Sequence, residues 1–227
     1  MIYTILPLLS AVVPSIVILL LFYYQDKYPE PFPIIIRTFF LGVLICIPAY
    51  FINTYFINLI YESYYDYEIT INTTEFLNAL IPGALVEEIL KFIVLYHVCF
   101  KYECLDEKID ALVYGTSIAL GFAASENLVY VLNASDYDTT WSTIAWLRAF
   151  TAVPAHACWG IIMGYFLYTF KNNKVKSISL GLSVPIFLHM LYNSNYISYS
   201  IVLIISIFMA VSFTSKSKRL QRIVIWK

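Results

Sequence analysis

Apolar residues fall in long uninterrupted runs along this chain rather than in alternation with polar ones. A half-buried strand alternates its apolar positions, whereas a helix crossing a bilayer core of about 30 Å needs roughly 20 apolar residues in succession. Seven stretches meet the second pattern, approximately residues 2–24, 33–59, 76–100, 109–133, 142–170, 178–194 and 196–214. They predict an all-α fold: a polytopic transmembrane helix bundle of about seven spans. It forms a single integral-membrane domain over residues 1–227, with its core motifs within 76–194. The first stretch has no basic n-region and no A-x-A site after it, so it reads as a retained span rather than a cleaved signal. No repeat or linker interrupts the series. The loop from Tyr61 to Glu75 is expected between spans, a very tight turn at Asn193-Ser194-Asn195, and a short surface-lying basic tail after Thr214.

Composition sharpens this picture. Hydrophobic residues make up 60% and charged residues 13%, against about 25% charged in soluble domains. The mean hydropathy is +0.74. Too few charges remain to coat a soluble globule, and the soluble classes drop out. A net charge of −1 leaves no basic face for nucleic acid. Cys46, Cys99, Cys104 and Cys158 show no paired spacing and are expected to be free thiols.

The few charges set an orientation. Lys27, Arg37, Lys101, Lys108, Lys171, Lys174, Lys176 and the tail residues Lys216, Lys218, Arg219, Arg222 and Lys227 fall on alternate loops, accounting for 12 of the 14 basic residues. The intervening loops carry no base, and two of the three carry acids. Cytoplasmic loops are enriched in Lys and Arg. The expectation is therefore a multi-pass membrane protein with its N-terminus outside and its C-terminus in the cytoplasm.

The two basic residues left over, Lys91 and Arg148, lie within predicted spans. So do Glu87, Glu88 and Glu126, and the histidines His156 and His189. An unpaired charge at a helix centre costs about 2.5–3.5 kcal/mol, so five such charges would cost more than ~12 kcal/mol. These groups are expected to face one another, or a watery cavity, inside the bundle. Glu87 and Lys91 are four apart and Glu88 and Lys91 three apart, so either pair can form along one helix. Depth counting puts Glu87, Glu88, Glu126, His156 and His189 in one layer in the outer half of the membrane. Small residues between Gly115 and Ser125, and from Ala152 to Gly164, suit close helix packing. Pro185 is expected to kink the sixth span beside His189. His97 is read as a packing residue, and Asp26 and Glu30 as a surface turn.

Carboxylates and imidazoles around one pocket suit a divalent ion such as Zn2+, which takes nitrogen and oxygen ligands. Alternatively, a desolvated glutamate can act as a general base towards water. Either arrangement hydrolyses a bond presented within the membrane. Two other classes use similar residues: a noncatalytic scaffold assembled through buried charges, and an ion-coupled transporter.

At these residues the chain resembles the PrsW family of intramembrane proteases, itself similar to type II CAAX prenyl endopeptidases and bacteriocin-processing proteases. The resemblance runs from about Tyr24 to Asn193 in four blocks. They are Asp26-Lys27-Tyr28-Pro29-Glu30-Pro31, Glu87-Glu88-Ile89-Leu90-Lys91, Gly121-Phe122-Ala123-Ala124-Ser125-Glu126-Asn127, and Arg148 with Pro154-Ala155-His156, Trp159-Gly160 and His189-x-x-x-Asn193. The resemblance implies that Glu87 and Glu88 are a catalytic acid pair. It implies that Glu126, His156 and His189 complete the site, as ligands if a metal is used, and that Asn193 orients His189 or donates to an oxyanion. It also implies a single-span membrane protein substrate, such as an anti-sigma factor, cut near the extracytoplasmic side.

Overall fold

The computed structural model describes residues 2–67, 70–101, 107–134, 139–171, 177–194 and 196–224. Cys104 and several loop charges, among them Asp136, Asp138, Lys174 and Lys176, lie outside the described residues. Among the described residues the chain is all helix apart from short turns. Its elements are α1 (Ile2–Tyr23), α2 (Phe32–Tyr67), α3 (Ile71–Leu80), a π-helical segment (Ile81–Leu85), α4 (Val86–Lys101), α5 (Lys108–Leu132), α6 (Trp141–Phe150), α7 (Ala152–Lys171), α8 (Ser177–Asn193) and α9 (Tyr199–Val224).

The apolar runs become helices, but three details depart from the hydropathy pattern. First, α2 continues to Tyr67 and α3 starts at Ile71, so most of the expected loop is helical. Thr70 caps α3 by accepting from the Thr73 amide at 3.3 Å. Second, the run 76–100 is not one helix. The chain passes through α3 and one π turn before α4 begins, one residue ahead of Glu87. Third, the expected surface tail is helical as far as Val224. Four helical stretches among the described residues are long and apolar enough to cross a membrane on length and composition: Ile5–Tyr23, Phe32–Tyr65, Trp141–Lys171 (α6 and α7 together) and Tyr199–Lys218. α8 is apolar but shorter.

α5 is the axis of the bundle. Every residue from Ile109 to Ala124 is buried, because α1, α2 and α7 pack around it and α4, α6 and α9 close the remaining sides. Small residues make this possible. A Cβ on Gly115 would run into the backbone oxygen of Gly160, and one on Gly160 would run into Gly115. With hydrogen in place of a side chain, α5 and α7 meet backbone to backbone. Ser117 Oγ donates to the Ile35 carbonyl at 2.9 Å, joining α5 to α2. A capping box starts α5, in which the Glu107 amide donates to Asp110 Oδ2 at 2.7 Å.

The turn between α1 and α2 is not the surface feature expected. Asp26 is 7% exposed and Glu30 8%. Glu30 Oε2 accepts from the Tyr114 hydroxyl at 2.7 Å, and its carbonyl accepts from Tyr23 at 2.8 Å. The turn is a plug against the first half of α5. His97 is exposed and satisfied within its own helix, with Nδ1 2.7 Å from the Ile93 carbonyl oxygen. Cys46, Cys99 and Cys158 are free thiols.

Candidate active site

Beginning α4 immediately after the π turn places Glu87 and Glu88 in its first turn. Adjacent residues point about 100° apart on a helix, and the two carboxylates have different surroundings. Glu88 is 1% exposed. Its Oε1 accepts from Lys91 Nζ at 2.8 Å and lies 2.8 Å from His189 Nδ1. A carboxylate can only accept, so His189 carries its proton on Nδ1 and Nε2 keeps its lone pair. Glu87 turns into a cavity of about 480 Å³. Asn53 Nδ2 donates to its Oε1 at 3.4 Å. Its Oε2 lies 3.6 Å from Lys91 Nζ without a hydrogen-bond partner.

α5 supplies Glu126 and α7 supplies His156, held at the same level by the glycine contact below them. His156 Nε2 lies 3.0 Å from Glu126 Oε2, and its Nδ1 lies 3.1 Å from Lys91 Nζ. Lys91 can only donate, so Nδ1 accepts and Nε2–H donates to Glu126. Glu126 also pairs with Arg148 Nη2 at 2.9 Å. Arg148 reaches it because the helix breaks at Thr151, between α6 and α7. Its Nε donates to Asn127 Oδ1 at 2.6 Å, and its guanidinium lies over the Tyr130 ring at 3.9 Å.

Aromatic rings fix the imidazoles. Trp159 stacks on His189 with centroids 4.2 Å apart and meets His156 edge-on at 5.1 Å. Trp159 is itself anchored by Nε1–H donating to Ser206 Oγ at 3.2 Å. Lys91 Nζ sits 4.1 Å from the Phe122 ring centroid, a favourable cation–π position. Pro185 lies inside α8, one turn before His189.

The residues read from the sequence are therefore gathered at one place. Glu87, Glu126, Arg148, His156, His189 and Asn193 line the cavity, while Glu88 and Lys91 sit behind it. Three carboxylates face two permanent cations, which leaves an excess of one negative charge. Asn193 is not on His189. Its Nδ2 donates to the Gly83 carbonyl at 2.8 Å, tying α8 to the π segment. Asn53, Asn127, Tyr130 and Trp159 contribute contacts without having been singled out as site residues. Asn127 and Trp159 stand inside the motifs already noted, but nothing in the spacing of Asn53 or Tyr130 marks them.

A metal can be tested against this geometry. Glu87, His156 and His189 each offer a ligand atom, all within 4.8 Å of one another and all buried. Two nitrogens and an oxygen form a donor set that zinc accepts. His189 already has the carboxylate behind its other nitrogen that a metal-binding imidazole usually has. Both His156 nitrogens are engaged, so ligation would displace Lys91 or Glu126. Glu126 stands outside this trio, committed to Arg148 and His156. The donor set fits a divalent ion, with Glu87 rather than Glu126 beside the two histidines.

Comparison with known proteins identifies the family. The family model of the PrsW family intramembrane metalloprotease matches residues 30–215. The chain belongs to that family. PrsW relatives extend over nearly its full length. The Protease PrsW of Oceanobacillus iheyensis is 36% identical over 223 residues, covering 96% of both chains. That of Bacillus subtilis is 31% identical over 201 residues, 84% of this chain and 85% of the relative. That of Geobacillus kaustophilus is 32% identical over 188 residues, 81% and 76%. No solved structure matches the chain. As a PrsW-family member the protein is an intramembrane protease, a hydrolase of peptide bonds that works on membrane proteins in lipid.

Proposed function

We propose that the chain hydrolyses a peptide bond of a single-span membrane protein, an anti-sigma factor being the kind of substrate, near the extracytoplasmic face. We further propose that Glu87, Glu88, Glu126, His156, His189 and Asn193 form its catalytic site, with Lys91 and Arg148 as supporting charges. The observation that carries this reading is the convergence of two carboxylates and two imidazoles on one cavity, with the third carboxylate, Glu88, directly behind His189. The side of the membrane rests on the alternation of basic loops, which puts the N-terminus outside and the C-terminus in the cytoplasm.

In this reading Glu87 is the general base. Of the adjacent pair it alone lines the cavity, and its Oε2 is free to accept a proton from water. Glu88 holds His189 in the tautomer that leaves Nε2 as an acceptor. Lys91 neutralises Glu88 and fixes the opposite tautomer on His156. His156 and Arg148 hold Glu126 in place, and Arg148, whose guanidinium has N–H groups beyond those directed at Glu126 and Asn127, gives the cavity a donor where negative charge develops on the carbonyl oxygen. If a divalent ion such as zinc is bound, Glu87, His156 and His189 would hold it, Glu87 then serving as a ligand rather than as the base, and the ion would supply Lewis-acid activation of water.

Two measurements test the reading. In a deletion strain, a single-span membrane protein should accumulate, and wild-type chain but not Glu87→Gln should restore its cleavage. If Glu87→Gln restores cleavage at the wild-type rate, the buried charges serve assembly and the site assignment fails. Elemental analysis of purified protein, with His156→Ala and His189→Ala as controls, distinguishes metal from glutamate-only hydrolysis. A metal content equal in all three proteins excludes these histidines as ligands.

A further inference from the structure

Two carboxamides on the cavity wall have unmet hydrogen-bonding capacity that the mechanism above does not use. Asn53 and Asn78 both line the cavity. The side-chain oxygen of each is shut off from bulk solvent and has no protein hydrogen-bond partner. Leaving a buried acceptor unsatisfied costs about 1–3 kcal/mol, so each carboxamide gains by turning its oxygen out to a donor that enters the cavity. Asn53 stands beside the base, and Asn78 lines the same cavity. Asn53 donates from its Nδ2 to Glu87. Asn78 precedes the π segment, where a Cβ on Gly83 would lie 2.9 Å from the Asn78 carbonyl oxygen and 3.0 Å from Asn193 Nδ2.

The substrate has the complementary need. In hydrocarbon every backbone N–H must be bonded, and a helix satisfies each one internally. A helical segment also shields its carbonyl carbons, so hydrolysis requires local unwinding, which strips partners from several N–H groups. We propose that Asn53 and Asn78 are substrate-positioning residues whose carboxamide oxygens accept main-chain N–H groups of the unwound segment beside Glu87. This rests on the protease reading and adds the recognised chemistry, which is peptide backbone rather than side chain. In Asn53 the bond to the substrate replaces the long 3.4 Å bond to Glu87. Rotation about χ2, a soft torsion in asparagine, suffices to turn each oxygen towards the chain.

Because the contact is with backbone, a generic peptide serves as probe. The test uses the full chain carrying Glu87→Gln in lipid nanodiscs, so that binding is read without hydrolysis. One probe is a dye-labelled apolar peptide of roughly 20 residues, interrupted by Gly-Pro; a second is uninterrupted. A series with single amide-to-ester replacements through the interrupted segment removes one N–H at a time. The interrupted peptide should bind. Asn53→Leu and Asn78→Leu should each weaken it about three- to tenfold, the worth of one neutral hydrogen bond, and change the uninterrupted peptide less than about twofold. One ester should reproduce each loss and add nothing further in the matching leucine variant, the signature of a direct pair. Asn78→Gln should restore binding, and Asn78→Leu should melt no lower than the parent, because its side-chain oxygen has no protein partner to lose. Failure of the interrupted peptide to bind, additive ester and leucine effects, or lowered melting of Asn78→Leu overturns the proposal. If cleavage by the wild-type chain is insensitive to Glu87→Gln while these binding effects hold, the protease reading falls and the backbone clamp stands.

Discussion

Glu88 accepts from both Lys91 and His189 at 2.8 Å with almost no exposure, so its charge is compensated from two sides. Removing one partner of a buried pair leaves the other uncompensated, at about 3–5 kcal/mol. Glu88→Gln is therefore expected to lower the melting temperature sharply and to reduce cleavage through misplaced His189. Glu87→Gln removes a carboxylate held only by long polar contacts among the described residues, Asn53 at 3.4 Å and Lys91 at 3.6 Å. It should leave the melting temperature nearly unchanged and lower cleavage by about 100-fold or more, the usual worth of a general base. Thermal melts of the two variants side by side decide it, and equal destabilisation would contradict the division of roles. Trp159 gives a third case. Trp159→Ala should cost about 3–5 kcal/mol as a core truncation. Trp159→Phe, which retains a ring over His189 but loses the bond to Ser206, should cost about 1 kcal/mol. At this scale the sequence was informative where charge met hydropathy. Glu87, Lys91, Glu126 and His189 are conspicuous because lipid penalises them. Asn53 and Tyr130 were silent, because neutral polar and aromatic side chains are ordinary in such helices and their partners lie on other spans.

The elements carry a second kind of information, about how close helices can come. Gly115 and Gly160 let α5 and α7 touch through their backbones, which brings Glu126 to 3.0 Å from His156. Gly160→Leu forces a side chain against the Gly115 carbonyl. Overpacking of this kind costs about 1–3 kcal/mol. The expected result is a chain that still inserts but has lost the Glu126–His156 contact, with cleavage falling more than stability. A variant with full activity would show that the backbone contact does not set the site's geometry. Small residues on both helices made this packing legible. The breaks were not. Hydropathy sums the apolar character of 76–100 and 142–170, but it carries no record of hydrogen-bond register. It therefore missed the π turn ahead of α4 and registered the interruption at Thr151 only as an overlong run. The buried turn at Asp26 and Glu30 was misread for a related reason, since acids beside two prolines look like a solvated loop until Tyr23 and Tyr114 are found above them.

Across the whole molecule, the helical class and the collection of the site on one cavity followed from the distribution of charge. The central position of α5 did not, because its burial depends on neighbours distant in sequence. That position has a consequence for how the protein is made. A segment surrounded by protein on all sides needs little affinity for lipid, and α5 is not among the stretches apolar enough to cross alone. It emerges from the ribosome before α7 and α9 exist, when only α1, α2 and α4 are available to accept it. A chain truncated after Ala134 should fail to hold α5 across the bilayer. Asn133→Cys would then label with an impermeant maleimide from the same side as Gln25→Cys, whereas in the full-length chain, with α5 spanning as the apolar runs and basic loops lead one to expect, the two should label from opposite sides. Labelling from opposite sides in both would mean that α5 is autonomous. Otherwise the central helix is a late guest in its own bundle, and nascent chains that stall before the C-terminal helices arrive are the ones a quality-control protease should find.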